Sequence, residues 1–338
     1  MAVNVGVIGL GMMGSTHLDA YAKQSDAKIV AISDIDPDKL SGKAKAKGNI
    51  EGQAQGGVDL TGVARHDEGM KLIADPNVQL VDICLPTPLH LKYAKAAIDA
   101  GKHVLVEKPL ARNMADAMEL AKLAEQASTV VMPAMCMRFW PGWDWLKQVV
   151  AEQRYGKVYA AHFRRVTSHP GGPFYSSGEQ AGGALLDLHI HDTDFVQWCF
   201  GVPATVRTFG YTKITGEPDH VFTHYLYGDG PVVTAEGCWA FAAGFGFQMQ
   251  FTVNCESATL VFDIGQTPAL RVIQNGKSEA VELDSGMGYD HEIAYALSCV
   301  KSGAKPTTVT PRDAANSVAI VTAERESMLS GKDVAVKL

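Results

Sequence analysis

Closely spaced cysteines are missing. The six present (Cys84, Cys136, Cys199, Cys238, Cys255 and Cys299) are scattered and form no C-x-x-C. That argues against a cysteine zinc site or a dithiol redox centre, and they read as small buried hydrophobes in a reducing, cytoplasmic compartment. Positive charge is also short: 30 lysines and arginines face 37 acids, for a net charge of −7. The densest basic stretch, Lys39 to Lys47, reads as one solvated helix face, so neither nucleic acid nor a membrane surface is an expected partner. No apolar run approaches the roughly 18 residues that a membrane-spanning helix needs. The chain enters its first apolar run at once, so no signal peptide is expected. Internal repeats and low-complexity tracts are absent as well. What remains is an ordinary globular composition, 46% hydrophobic and 20% charged, with 338 residues to fill two domains.

Glycine is plentiful, and its placement near the start organises the chain. Val5-Gly6-Val7-Ile8 is a short strand-like run, Gly9-Leu10-Gly11-Met12-Met13-Gly14 follows, and Ser15 to Tyr21 reads as helix. The spacing is G-x-G-x-x-G between a strand and a helix. Gly9 allows a sharp turn, Gly11 lets the backbone approach a pyrophosphate, and Gly14 lets the helix pack closely on the strand. The helix N-terminus offers unpaired N–H groups and a positive dipole end to phosphates. Gly9, Gly11, Met12, Met13 and Gly14 are therefore candidate cofactor contacts. A second strand, Lys28 to Asp34, ends in a carboxylate, Asp34, which lies 20 residues past Gly14. A carboxylate there accepts hydrogen bonds from an adenosine ribose and repels a 2′-phosphate, so the expected cofactor is NAD rather than NADP.

Beyond Asp34 the pattern alternates. Asp36 caps a helix expected to reach about Lys47, Gly48–Gly62 reads as a glycine-rich surface loop, and Asp67–Ala74 as a short helix. Leu80–Leu85 is a buried strand. The loop after it, Leu85-Pro86-Thr87-Pro88-Leu89-His90, lies on the edge where cofactors sit, with Thr87 and His90 as candidate contacts. His103–Val106 is a strand running into Glu107-Lys108-Pro109, and Asn113 caps a helix to Ala127. Strands alternating with helices imply a doubly wound parallel sheet. After Trp140 the character changes to many β-rich runs between Ala204 and Leu283, broken by turns such as Asn275-Gly276, with helices at about 290–302 and 311–330. The expected fold is α/β: a Rossmann domain over 1–133, then an α/β domain with a large, mostly antiparallel open sheet over 134–338.

A second chemical constellation lies in the latter half, Gly182-Gly183-Ala184-Leu185-Leu186-Asp187-Leu188-His189-Ile190-His191. If 184–200 is helical, Asp187 and His191 share a face. A carboxylate beside an imidazole fixes its tautomer and suits it to acid–base work on a hydroxyl. A metal site from His189, His191, Asp192 and Asp194 is the weaker alternative, because positions 189 and 191 diverge by about 200° on a helix. No metal is expected. Arg164, Arg165, His162, His169 and Tyr175 are candidate pocket residues. Strand alternation lets only one of the two arginines face a cleft.

Taken together, Gly9–Gly14, Asp34, Pro86…His90, Glu107-Lys108-Pro109, Arg138-Phe139 and Gly182-Gly183…Asp187…His191 resemble the Gfo/Idh/MocA oxidoreductase family. The resemblance implies that Lys108, Asp187 and His191 are catalytic. It implies that Leu85, Pro86, Thr87, His90, Glu107, Lys108 and Arg138 join the cofactor site, and that Lys108, Arg165, His169, Tyr175 and His191 meet a sugar or polyol substrate. It further implies a cis Lys108–Pro109 peptide and a homodimer or homotetramer built on the open sheet. The glycine-rich 48–62 stretch is longer than the resemblance leads one to expect. Two rival functions are an NAD-dependent glycosidase of the same superfamily and a non-catalytic NAD-binding regulator.

Overall fold

The computed structural model describes residues 1–43, 50, 53 and 57–338. They form two compact units, one of residues 1–139 with 286–315, the other of residues 140–285 with 316–338.

The first unit alternates as its hydrophobic pattern requires: β1 (Val3–Ile8), α1 (Met12–Ala22), β2 (Ala27–Ser33), α2 (Pro37–Leu40), β3 (Ala64–His66), α3 (Gly69–Ala74), β4 (Leu80–Ile83), α4 (His90–Asp99), β5 (His103–Glu107), α5 (Met114–Gln126) and β6 (Val131–Ala134). The strands pair in parallel in the order β3-β2-β1-β4-β5-β6. The order reverses between β1 and β4, and the crevice at such a switch point is where ligands bind in doubly wound sheets. Local chemistry sets the ends. Asn113 Oδ1 accepts the Asp116 amide at 2.9 Å to start α5, and Gly101 at φ +70° follows α4.

In the second unit, α6 (Trp143–Ala151) precedes the long β7 (Val158–Ser168), then α7 (Gly172–Ser176), α8 (Gly178–Ala181) and α9 (Ile190–Phe200). Strands β8 (Thr205–Tyr211), β9 (His220–Leu226), β10 (Val232–Phe241), β11 (Gln248–Cys255), β12 (Thr259–Asp263), β13 (Leu270–Gln274) and β14 (Lys277–Ala280) follow. Next come α10 (Gly288–Ser302), α11 (Pro311–Ser330) and β15 (Val334–Ala335). The sheet order is β14-β13-β12-β11-β7-β10-β9-β8-β15, antiparallel except for β7 with β10. One face is packed: Trp143 is fully buried, with the rings of Phe195, Phe251, Phe163 and Phe262 at 4.8, 5.5, 5.6 and 6.2 Å. The other face stays open, with Phe209, Tyr211 and Phe222 exposed.

Four expectations change. The division at 133/134 does not describe the units, because β6 runs through Ala134 and α10 returns to the first. The reason is specific: Lys23 Nζ meets Asp290 Oδ1 at 2.8 Å, and the Arg138 guanidinium donates to Thr308 O at 2.9 Å and Asp313 Oδ2 at 3.1 Å. Residues 184–200 are not one α-helix, since Leu185–His189 is a π turn that hands over to α9. The β-rich stretch expected to run to Leu283 ends instead at Ala280, with the last hairpin strand Lys277–Ala280 set by the Asn275-Gly276 turn with both φ positive. The helix expected to reach Lys47 ends at Leu40, with Ser41 as its C-cap, and residues 44–49, 51, 52 and 54–56 of that stretch and of the loop 48–62 lie outside the described residues.

Candidate active site

The glycine turn is fixed by sterics. Gly9 sits at φ +92°, and a Cβ there would lie 2.4 Å from Cys84 O; at Gly14 a Cβ would lie 1.8 Å from Gly9 O. Gly11 differs, because a Cβ there would meet nothing within 4 Å. It caps α1 without any side-chain acceptor, and the first turn carries no acid. Open space beside uncapped helical N–H groups is what a pyrophosphate requires. Asp34 is buried, and its carboxylate accepts the Leu10 amide at 2.7 Å and the Asp36 amide at 2.8 Å. A carboxylate offers about four acceptor positions, so capacity remains for ribose hydroxyls. The residues present therefore fit a dinucleotide. One point departs from expectation: no arginine follows Asp34, yet Lys39 Nζ lies 3.6 Å from its Oδ2.

After β4 the loop is braced from beneath. His90 is fully buried, with Nδ1 2.8 Å from Pro109 O and Nε2 2.8 Å from Leu85 O. Burial pulls its pKa down, against the two carbonyls. Both ring nitrogens are thus engaged by backbone. His90 holds Leu85 to the cis Lys108–Pro109 turn, a bracing role in place of the expected cofactor contact. Thr87 is buried, Pro86 is exposed, and Lys108 is half-buried. Glu107 also turns inward: Oε2 accepts the Lys108 amide at 2.9 Å and Oε1 lies 3.1 Å from His17 Nε2. Arg138 is committed to Thr308 and Asp313. The geometry corrects Glu107 and Arg138 from cofactor contacts to internal supports.

Sequence reasoning missed His17, Asp82 and Cys84. His17 Nδ1 lies 2.8 Å from Asp82 Oδ2 and 3.4 Å from Cys84 Sγ, with His17 and Asp82 fully buried and Cys84 half-buried. Burial is the largest single influence and opposes the charged ring, but the Asp82 charge and hydrogen bond act against it, and the His17 pKa rises well above its ordinary value. Burial pushes the Cys84 thiol up, so it stays protonated. The signal was available: an acid inside the apolar run Leu80–Leu85 must find a partner. A metal held by this trio fits poorly. Two donors on one tetrahedral zinc stand roughly 3.3 Å apart, given metal–ligand bonds near 2.0 Å, whereas the His17–Asp82 contact is a hydrogen bond at 2.8 Å.

In the second unit, Gly182 and Gly183 adopt φ +84° and +71°, and a Cβ on Gly183 would meet Pro218 O at 2.5 Å. The π turn then begins. From 181 to 197 every residue is buried except Asp187 and His191, which alone are partly exposed. The members of the alternative metal set are dispersed among other partners. His189 is fully buried, with Nε2 3.2 Å from Tyr225 Oη and 3.6 Å from Glu324 Oε1. Asp192 holds Arg165 at 2.8 Å, and Asp194 accepts Ser317 Oγ at 2.9 Å. Arg165 is buried over the Trp143 ring, so its expected substrate role gives way to a core ion pair. Arg164 takes the opposite sheet face, with Glu236 at 2.8 Å. His169 accepts the Gly171 amide at Nδ1 and donates from Nε2 to Tyr175 O at 3.1 Å; its ring and that of Tyr175 pack edge-on to Trp239. Trp239 is in turn held by Asp219 at 2.8 Å, whose carboxylate also accepts the amides of residues 213–215.

Comparison with known proteins agrees with this fold. Residues 3–135 match the family model described as "Oxidoreductase family, NAD-binding Rossmann fold", and 143–261 match the GFO/IDH/MocA C-terminal domain. Myo-inositol 2-dehydrogenase of Thermotoga maritima is 32% identical over 200 residues, 59% of this chain and 55% of that protein. The chain thus spans only about half the length of that relative. Trans-1,2-dihydrobenzene-1,2-diol dehydrogenase of Macaca fascicularis is 27% identical over 92% of both chains. A levoglucosan dehydrogenase solved with NADH and levoglucosan superimposes with a TM-score of 0.84 over the full length of both chains, at 21% identity. The chain belongs to the Gfo/Idh/MocA family of oxidoreductases, with an NAD-binding Rossmann domain.

Proposed function

We propose that this chain is an NAD-dependent dehydrogenase acting on a hydroxyl of a sugar, inositol or related polyol. Lys108, Asp187 and His191 serve as its acid–base machinery. The observation that carries the reading is the pair Asp187 and His191, the only residues left partly exposed in an otherwise buried run of seventeen, 181–197. Burying a segment while leaving one carboxylate and one imidazole accessible is a poor way to build a core and a good way to present a base. The relatives named for inositol and diol dehydrogenation support the same substrate chemistry.

NAD, when bound on Gly9–Gly14 and Asp34, supplies the hydride acceptor. The chain's own residues do the rest. Lys108, as an ammonium, donates a hydrogen bond to the substrate oxygen and stabilises negative charge developing there. His191 takes the hydroxyl proton, and Asp187 orients its ring; in reduction His191 returns the proton. His169 and Tyr175, organised by Trp239, remain candidates for substrate contact.

The open sheet face, with Phe209, Tyr211 and Phe222 exposed, supports association into a homodimer or homotetramer. The activity is tested by incubating the protein with NAD and a panel of inositols, aldoses and anhydrosugars. Net NADH with one of them supports the dehydrogenase; bond cleavage in a glycoside without net NADH marks the glycosidase, and NAD binding without either marks a regulator.

A further inference from the structure

One buried charge cluster is not used by this chemistry. His17 belongs to α1, five residues before its end, and its ring is wholly buried. A carboxylate faces each ring nitrogen: Asp82 of β4 at 2.8 Å from Nδ1, and Glu107, the last residue of β5, at 3.1 Å from Nε2. Cys84 Sγ lies 3.4 Å from Nδ1, and the Tyr289 ring from α10 stands 6.5 Å away. Tyr21, one turn further along the same helix and fully buried, interacts electrostatically with both His17 and Asp82. A neutral imidazole donates through one nitrogen only, so it would leave one buried carboxylate facing a lone pair. An imidazolium donates to Asp82 and sets a second positive N–H edge against Glu107, where Nε2 makes an ion-pair contact at 3.1 Å and no hydrogen bond. The second oxygen of Glu107 is already bonded to the Lys108 amide at 2.9 Å, so anything that fixes this carboxylate fixes the backbone from which Lys108 springs.

We infer that His17 is a positioning residue: as an imidazolium clamped between Asp82 and Glu107, it locks the Glu107 carboxylate that holds the Lys108 backbone in place. The inference rests on the reading of Lys108 as a catalytic group. Its charge-state half stands on geometry alone. Consistent with it, burial would raise the Glu107 pKa, but the adjacent His17 ring and its charge, with Lys108 behind them, hold it below the ordinary range. Asp82 is 65 residues and Glu107 90 residues from His17 in sequence, so the clamp ties three separate segments of the first unit.

The test has two arms. In the first, the intact protein is labelled with 15N-histidine, and the His17 ring is assigned by its loss in His17→Gln. At about pH 8.5, some two units above the ordinary histidine pKa, both His17 nitrogens should still carry protons. A neutral tautomer there overturns the inference, whatever Lys108 does. In the second, His17→Gln is compared with Lys108→Ala, using NAD and the best substrate of the sugar panel. His17→Gln should lower kcat roughly ten- to hundredfold, the scale of a small misplacement of a reacting group. Its NAD affinity should stay within about threefold of the parent, and His17→Asn should not rescue. Full kcat in His17→Gln beside a dead Lys108→Ala overturns the positioning role and leaves the catalytic reading intact. Full kcat in Lys108→Ala overturns both that reading and the positioning role, while the NMR arm still decides the charge. A His17→Gln protein that fails to fold leaves the first arm decisive, with the His17 signal assigned by its coupling to Glu107 through Glu107→Gln.

Discussion

At the scale of single residues, Asp34 and Lys39 should set cofactor choice between them. Asp34 accepts two backbone amides and keeps acceptor capacity for ribose hydroxyls, while Lys39 stands 3.6 Å away and half-exposed. The carboxylate repels a 2′-phosphate, and the ammonium would attract one. NAD should therefore be preferred, and Asp34→Ser should shift the NAD/NADP ratio of kcat/KM toward NADP by about tenfold or more, worth ~1.4 kcal/mol. Adding Lys39→Ala to that variant should take back part of the gain. Steady-state kinetics with both cofactors checks this, and a ratio unmoved by Asp34→Ser would contradict the assignment.

Among elements, the π turn at Leu185–His189 is the decisive one. Its geometry leans on β10, where Gly237 has no side chain; a Cβ there would lie 2.6 Å from His189 Nδ1 and 2.7 Å from His189 Cβ. Gly237→Ala should cost about 1–3 kcal/mol through overpacking, read as a lower melting temperature. It should also reduce kcat, because His191 follows His189 by two residues. A variant that melts lower yet keeps full turnover would separate the turn from the chemistry. π turns recur at functional sites because they re-aim side chains out of an otherwise regular helix.

The β1–glycine–α1 unit was legible in sequence because its constraints are local: a strand, a turn that only glycine can make, and a helix start. The i, i+4 spacing of Asp187 and His191 is likewise local, and their shared partial exposure in a buried run agrees with it, while their catalytic role remains the proposal tested by His191→Ala kinetics. The π turn was not legible, because the strand that shapes it lies some fifty residues further on. Nor could spacing show that Arg165 and Glu107 point inward, since their partners Asp192 and His17 are set by tertiary packing. The return of α10 to the first unit follows from contacts such as Lys23–Asp290, which no periodicity announces.

For the whole molecule, stability should depend on pH from both sides. Glu236 is held down to about 2 from its ordinary value near 4.5, chiefly by the His220 hydrogen bond and then Arg164, against burial. A depressed folded pKa stabilises above the unfolded value, and that contribution is lost as pH falls from about 4.5 toward 2. His17 has the opposite sign: its raised folded pKa contributes fully below the ordinary value near 6.5, and the contribution fades as pH rises through the folded value. Melting temperature against pH should thus fall on the acid side, and Glu236→Gln should flatten that limb. An acid limb identical in the variant would contradict the assignment. Light scattering at micromolar concentration should report a dimer or tetramer, and Phe222→Asp on the open sheet face should shift it toward monomer; a monomeric parent would refute the association.

The central claim is that His191 is the base and Lys108 the oxyanion partner in a hydride-transfer reaction. Its most direct measurement is kcat for net NADH formation by His191→Ala, alongside NAD affinity and melting temperature on the same preparation. The account predicts a fall of about 10²–10⁴ in kcat, with NAD affinity and melting temperature close to the parent. Turnover within a few-fold of the parent, or a loss fully explained by lower stability, would contradict it.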